Sequence, residues 1–295
     1  MIDFSGIYPP ILTPFKADGR LDLDALQDNL QKYNETQLTG YVLIGSFGES
    51  VFLSPGEKRD LLQTARKVIP LEKLLIAGTG VETTAGTIQL TQQAADLGAD
   101  AVMVMTPHFY DPLMCPDILV RHYRQVADAS PIPVLLYNVP LFTHLDMTVE
   151  TIVTLAAHEN IPGMKESSGN VVKIGKILHQ IPQFQVLTGS GSAFLGALTI
   201  GANGGVMGLA NLAPDEMVEI MQLTQMGKFD EAGAIQRRLL ALDYAITFTY
   251  GIAGAKAALD WLGYKGGSVR APLCNLSAKE REGVKKLLRE AQLIF

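Results

Sequence analysis

The sequence predicts an α/β chain folded as a (β/α)8 barrel with additional C-terminal helices. Short β-rich apolar runs alternate with longer amphipathic segments almost from end to end, the signature of a parallel sheet covered by helices. There are eight such pairs, the number a closed barrel needs. The chain has 295 residues, of which 47% are apolar, enough for one large core. A doubly wound open sheet shares the alternation and stays open as the alternative; the count of pairs favours the barrel.

The strands are read, in order, at GIYPPILT, GYVLIG, KLLIAG, AVMVMT, PVLLYN, IPGMK, FQVLTG and GGVMG. Each is a short apolar run bounded by Gly, Pro, Asn or Thr, as a strand buried on both faces requires. The helices between them are LDLDALQDNLQKYNE, SPGEKRDLLQTARKVI, TTAGTIQLTQQAADL, CPDILVRHYRQVAD, TVETIVTLAAH, VVKIGKILHQI, SAFLGALTIG and PDEMVEIMQLTQ. The second opens on Ser54-Pro55-Gly56-Glu57, which reads as a capping box with proline at the first helical position. Capping accounts for all four residues without catalysis. Beyond the eighth pair, KFDEAGAIQRRLLALDYAITFTYG, IAGAKAALDWLG and SAKEREGVKKLLREAQLI read as three further helices. The expected division is a barrel over residues 1–225 and a helical extension over 226–295 packed on it, since no polar linker separates them.

Composition narrows the function. Thirty acidic against twenty-four basic residues give a formal charge of −6, and no basic block exceeds the pairs Lys285-Lys286 and Arg237-Arg238. Nucleic acid is not an expected partner, because phosphate binding needs a concentrated basic face. The two cysteines, Cys115 and Cys274, fit no metal or redox spacing and suit a reducing compartment. The N-terminus has no basic segment followed by an apolar one, and no apolar run approaches a membrane span, so a cytoplasmic protein without membrane contact is expected. His108, His122, His144, His158 and His179 show no ligand spacing, and no Walker A loop or dinucleotide fingerprint is present. No metal and no cofactor are expected.

In such a barrel the reactive groups sit at the C-terminal ends of strands, where this chain places Gly45-Ser46, Gly78-Thr79-Gly80, Thr106-Pro107, Tyr137-Asn138, Lys165 and Gly189-Ser190. Only Lys165, in IPGMKESSG, carries a charge. Partial burial there disfavours the charged form of an amine, and a neutral amine can attack a ketone and leave a Schiff base that draws electrons. The structural alternative is a lysine that snorkels to water or pairs with Glu166. Tyr137 closes the neighbouring strand in VLLYNVP, where a phenol can relay a proton to substrate oxygen or simply pack. In GSFGES the glycines permit a close backbone approach, so that the amides of Ser46 and Phe47 could hold a small carboxylate while the Ser46 hydroxyl joins Tyr137. A plain strand-to-helix turn explains the same glycines. TGTGVETT is a weaker signal of the same kind.

Taken together, GSFGES with LSPGE, YNVP, GMKESSG and the tail GIAGAKAALDWLGYKGGSVRAPL resemble the dihydrodipicolinate synthase / N-acetylneuraminate lyase family of class I, pyruvate-dependent lyases and aldolases. The resemblance runs from about residue 4 to the C-terminus, and it is the ordered set, more than any one motif, that is specific. It implies a (β/α)8 barrel with C-terminal helices, and a homotetramer built as a dimer of dimers. It also implies Lys165 as the Schiff-base lysine, Tyr137 as the proton relay with Ser46, Ser46 and Phe47 as the pyruvate carboxylate site, and Gly189 beside the substrate.

Departures bear on the second substrate. Phe142 stands five residues after the tyrosine, where the synthases normally carry an arginine for the aldehyde's carboxylate, and Ser46-Phe47 stand where they favour two threonines. Gly189-Ser190-Gly191-Ser192 stand where sialic-acid lyases typically carry acidic residues. HYRQVADASPIPVLLYNVP, IPGMKESSG and FQVLTGSGSAFL look closer to 4-hydroxy-2-oxoglutarate aldolases, which release pyruvate and glyoxylate. The relay tyrosine that such enzymes often take across a dimer interface aligns with Phe109, next to Tyr110, which could substitute for it. The expected function is therefore cleavage of a 4-hydroxy-2-oxo acid to pyruvate and an aldehyde, with substrate contacts from Phe47, Gly189, Ser190, Phe142 and Tyr110. The alternatives are dihydrodipicolinate synthase, condensing pyruvate with aspartate semialdehyde, a 2-keto-3-deoxy sugar acid aldolase or dehydratase, and a barrel that binds 2-oxo acids without turnover.

Overall fold

The computed structural model describes residues 2–295. Its eight strands are β1 (Gly6–Tyr8), β2 (Gly40–Leu43), β3 (Leu74–Gly78), β4 (Ala101–Met105), β5 (Val134–Asn138), β6 (Gly163–Glu166), β7 (Gln185–Thr188) and β8 (Gly204–Val206). Each falls inside its predicted run except β6, which extends one residue past IPGMK to Glu166. The order across the sheet is β1-β8-β7-β6-β5-β4-β3-β2, with every neighbouring pair parallel. A bridge between Pro10 and Val42 joins the two ends, with Ile11 N–H donating to the Val42 carbonyl at 2.8 Å. Consecutive order and closure exclude the doubly wound sheet, whose strand order reverses at a switch point.

The helices are α1 (Leu23–Asn34), α2 (Pro55–Val68), α3 (Thr84–Asp96), α4 (Pro116–Ala129), α5 (Pro140–Thr143), α6 (Val149–Ala156), α7 (Val171–Gln180), α8 (Phe194–Thr199), α9 (Pro214–Gln225), α10 (Phe229–Tyr244), α11 (Gly251–Trp261) and α12 (Ala278–Glu290). Two differ from expectation. The short α5 was not anticipated; its proline at the first position starts a single turn that carries Leu141 and Phe142. The stretch read as one helix from Lys228 to Gly251 changes pitch after Tyr244, where residues 245–249 form a π-helical segment closed by Tyr250 N–H donating to the Ala245 carbonyl at 2.7 Å.

Alternation along the strands divides the core in two. Leu135, Tyr137, Leu187, Ile76, Met103 and Val206 point into the barrel, while Leu136, Met164, Val186, Val104 and Leu75 face the helices. On β6 this period puts Lys165 inside the barrel and Glu166 outside it. The two charges of one dipeptide therefore never meet.

The C-terminal helices join the barrel through polar anchors as well as apolar packing. Lys256 on α11 donates to Glu49 at 2.5 Å and to the Ser268 carbonyl at 2.7 Å, with both members of the ion pair almost fully buried. The Ser54/Glu57 capping box forms as expected, with Ser54 Oγ accepting from Glu57 N–H at 3.3 Å and Glu57 Oε2 accepting from Ser54 N–H at 2.9 Å. Glu57 also binds Arg270 in a two-point fork, at 2.6 and 3.0 Å. Bidentate geometry makes this pair stronger than a lone surface contact.

That fork has a pH signature. The Arg270 guanidinium holds the Glu57 carboxyl down at about 2, against an ordinary value of 4.5. A depressed folded value contributes stability that is fully present above pH 4.5 and is lost as pH falls toward 2. Glu57→Gln should therefore lower stability at pH 7 by about 2 kcal/mol, a hydrogen bond to a charged group, in thermal denaturation. The gap between variant and wild type should close on acidification through that window, and a pH-independent gap would show that the charge is not the cause.

Candidate active site

A cavity of about 390 Å³ opens at the C-terminal rim of the barrel. It is lined by Lys165 and Tyr137 from the strand ends, Phe47 from the loop after β2, Phe142 from α5, Gly189 and Ser190 from the loop after β7, and Asp243 from α10. A concave, mostly apolar site with a few convergent polar groups is the usual form of a small-molecule site.

Lys165 is 6% exposed and stands one residue before the end of β6, beside Tyr137, its register partner on β5. Its Nζ stands 4.3 Å from the centroid of the Tyr137 ring. Among the described residues it has no ion-pair or hydrogen-bond partner. The alternative pairing with Glu166 fails because that carboxylate faces the other way. Glu166 is fully buried, accepts from Asn138 at 2.7 Å, Ser168 Oγ at 2.7 Å and Ser168 N–H at 3.1 Å, and lies 4.0 Å from Lys173. Lys173 and Asn138 are both also bonded to Asp146. One lysine of the region is thus wholly engaged in structure, and the other is left free in the cavity.

The Tyr137 hydroxyl and Ser46 Oγ lie 3.4 Å apart, so Ser46 reaches the site through the tyrosine rather than lining the cavity itself. Ser46 opens a single 3₁₀ turn, Ser46–Gly48. Gly48, Glu49 and Ser50 amides find carbonyls at Gly45 and Ser46, whereas those of Ser46 and Phe47 have no partner among the described residues. The first amides of a helical turn are left over by its hydrogen-bond pattern and suit an anion.

Gly189 must be glycine for steric reasons, since a Cβ there would lie 1.8 Å from Ser167 Oγ and 3.0 Å from Lys165 Cε. Ser167 Oγ is buried with no partner among the described residues and lines the same cavity. It is a free hydroxyl beside the lysine that sequence reasoning did not single out.

Asp243 was also missed. It is 6% exposed, accepts from Ser192 Oγ at 2.6 Å, and presses so closely on Gly191 that a Cβ there would fall 2.5 Å from its Oδ1. Burial raises its carboxyl above the ordinary 3.8, and the Ser192 hydroxyl and amide oppose that rise. The available signal was a single carboxylate among Leu239, Leu242 and Ile246, at i−4, i−1 and i+3 on an apolar helix face.

Tyr110 is placed on the surface of this chain. It is 63% exposed and Phe109 is 74% exposed, the two rings touching edge to face at 5.0 Å. Neither lines the cavity of this chain, and the expected contribution of Tyr110 across a dimer interface concerns a second copy's cavity. Phe142 and Ser190 do line it. Of the histidines, His122 packs edge to face on Tyr123, and burial pushes its imidazole down to about 4. Among the described residues no three His, Cys, Asp or Glu side chains could hold one metal ion, and no helix is long and apolar enough to cross a membrane. Cys115 and Cys274 are both free and exposed.

The fold and its rim cavity define a (β/α)8 barrel of the enzymatic type, with its polar groups gathered at strand ends. Residues 3–291 match the model of the dihydrodipicolinate synthetase family, and the chain belongs to that family of aldolase-type enzymes. It is 32% identical over 290 residues to the 4-hydroxy-tetrahydrodipicolinate synthase of Methanococcus maripaludis strain C7, covering 98% of this chain and 99% of that one. Among solved structures, dihydrodipicolinate synthase DapA-2 of Bacillus anthracis superposes with a TM-score of 0.94 at 31% identity, covering 98% and 99% of the two chains. YagE of E. coli K12, a family member solved in complex with pyruvate, superposes with a TM-score of 0.93 at 28% identity, with 99% of each chain covered. These similarities do not support a particular kinship with 4-hydroxy-2-oxoglutarate aldolases, since the Methanococcus protein carries the synthase name.

The contrast between the two lysines is testable by stability alone. Lys165→Met should leave Tm unchanged or raise it, since an unpaired amine in a cavity contributes little to folding. Lys173→Met strands the buried Glu166 and should cost about 3 kcal/mol or more in chemical denaturation. A large loss for Lys165→Met would reveal a structural partner for that lysine.

Proposed function

We propose that the protein is a class I carbon–carbon lyase that forms a Schiff base between Lys165 and pyruvate or a 2-oxo acid containing it. The observation that carries the reading is a lysine 6% exposed, free of any ion pair among the described residues, at the floor of the rim cavity and over the face of Tyr137.

The Lys165 amine adds to the C2 carbonyl, and water leaves as the imine forms. In the cleavage direction the C3–C4 bond breaks, its electron pair passes into the enamine, and the C4 hydroxyl proton goes to Tyr137 and on toward Ser46, 3.4 Å away. Protonation at C3 and hydrolysis of the imine return pyruvate and the free lysine. In condensation the same enamine attacks an aldehyde and the proton returns to its oxygen. The free amides of Ser46 and Phe47 hold the C1 carboxylate, and Ser167 and Gly189 leave room beside the imine. No bound cofactor takes part in this scheme.

A second reading, favoured by the name of the Methanococcus relative, is 4-hydroxy-tetrahydrodipicolinate synthase, in which the partner is aspartate semialdehyde. The 4-hydroxy-2-oxoglutarate reading shares imine formation and the aldol step with it and differs in the aldehyde, glyoxylate, which has no amine to displace the lysine from C2. Assembly as a tetramer, implied by the family resemblance, would cover Phe109 and Tyr110; sedimentation tests it.

Borohydride reduction in the presence of pyruvate should leave an adduct on Lys165, located by peptide mapping, and Lys165→Ala should abolish both adduct and turnover. An adduct on another lysine, or none, removes the assignment. Tyr137→Phe should lower kcat by about 10²–10⁴, the range of a lost proton-transfer group, while the imine still forms. A Tyr137→Phe enzyme with unchanged kcat would place the relay elsewhere.

A further inference from the structure

Among the described residues lining the cavity, Lys165 is the single cation, and Asp146 and Asp243 are the only carboxylates. Asp146 is engaged by Lys173 and Asn138. Asp243 has no cationic partner among the described residues, and its one side-chain hydrogen bond comes from the Ser192 hydroxyl at 2.6 Å. A hydroxyl donor on Oδ2 holds the carboxyl as an acceptor, with its remaining lone pairs free for a further donor. Lys165 is taken up by the imine, so that no cation is left for a second carboxylate on the substrate. A carboxylate placed near Asp243 in this desolvated space would meet like charge instead.

We propose that Asp243, supported by Ser192, is a specificity-determining residue that accepts a hydrogen bond from a hydroxyl on the aldehyde-derived half of the substrate, so that the enzyme selects uncharged, hydroxylated aldehydes over carboxylated ones. This rests on the Schiff-base reading above. The rest of that end of the cavity agrees with such a ligand: Phe142 and Phe248 offer apolar walls for its carbon chain, and Ser190 and Thr247 offer hydroxyls. Gly191 lets the loop after β7 approach this carboxylate closely, since a Cβ there would fall 2.5 Å from Asp243 Oδ1. In the condensation direction pyruvate C3 bonds to the aldehyde carbon, the aldehyde oxygen takes the relayed proton, and the product is a 4-hydroxy-2-oxo acid with a further hydroxyl toward Asp243.

The test is an aldehyde panel with pyruvate on the full-length enzyme: glyceraldehyde, propanal of similar length without hydroxyls, glyoxylate, and aspartate semialdehyde. Borohydride trapping of pyruvate on wild-type Lys165 is read separately, and its absence overturns the Schiff-base reading and this proposal with it. With trapping present, kcat/KM for glyceraldehyde should exceed each of the others by about tenfold or more, since a site built to bond a hydroxyl rejects analogues that lack it. Asp243→Asn should shrink the ratio of glyceraldehyde to glyoxylate by at least about tenfold, because it removes both the strong acceptor and the repulsion. As a ratio, this readout is insensitive to the fraction of variant that folds. A preference for glyoxylate, aspartate semialdehyde or propanal, or a ratio unchanged in Asp243→Asn, overturns the proposal while leaving the lysine chemistry intact.

Discussion

The candidate site depends on a buried ion pair that does not belong to it. Glu49, in the left-handed conformation at φ 56°, ends the 3₁₀ turn that carries Ser46 and Phe47. Its carboxylate is held by Lys256 from α11 and by the amide of Arg270, with the aromatic ring of Phe15 stacked beneath both cations at 4.6 and 4.2 Å. A non-glycine residue in that conformation is strained, and a carboxylate with almost no exposure is costly unless its bonds are complete. The tail supplies those bonds. The loop that offers two free amides to the cavity is therefore fixed by residues more than two hundred positions downstream.

This arrangement changes the meaning of the C-terminal helices. They cap no edge, since the barrel closes on itself through Pro10 and Val42. Instead they bind the cavity from two sides: α10 sends Asp243 into its wall, and α11 with the Arg270 segment anchors the loop after β2 and the start of α2. Gln236 adds a third tie, donating to the Gly191 carbonyl at 2.8 Å and so setting the loop that touches Asp243.

The barrel was legible because parallel strands buried on both faces read as unbroken apolar runs, and the eight runs are separated by helical patterns, one of them opened by the clear cap at Ser54. Lys165 stood out for the same reason, as a charge closing such a run. What was not legible depends on contacts between distant segments. Asp243 and Ser192 are 51 positions apart, and only the docking of α10 brings them together. The fate of Glu166 needed the two-residue strand period and the position of Lys173 one helix later. The pitch change after Tyr244 has no marker in the sequence, which contains neither proline nor glycine between Phe229 and Phe248 except Gly233.

Because chains are made from the N-terminus, the order of these contacts is also an order in time. When β8 has emerged, every strand of the barrel exists and Lys165 already has Tyr137 beside it. Yet the wall at Asp243 and the clamp from Lys256 and Arg270 are still to be synthesised. A nascent chain thus holds its unpaired amine in an unfinished vessel, and only the last quarter of translation closes it.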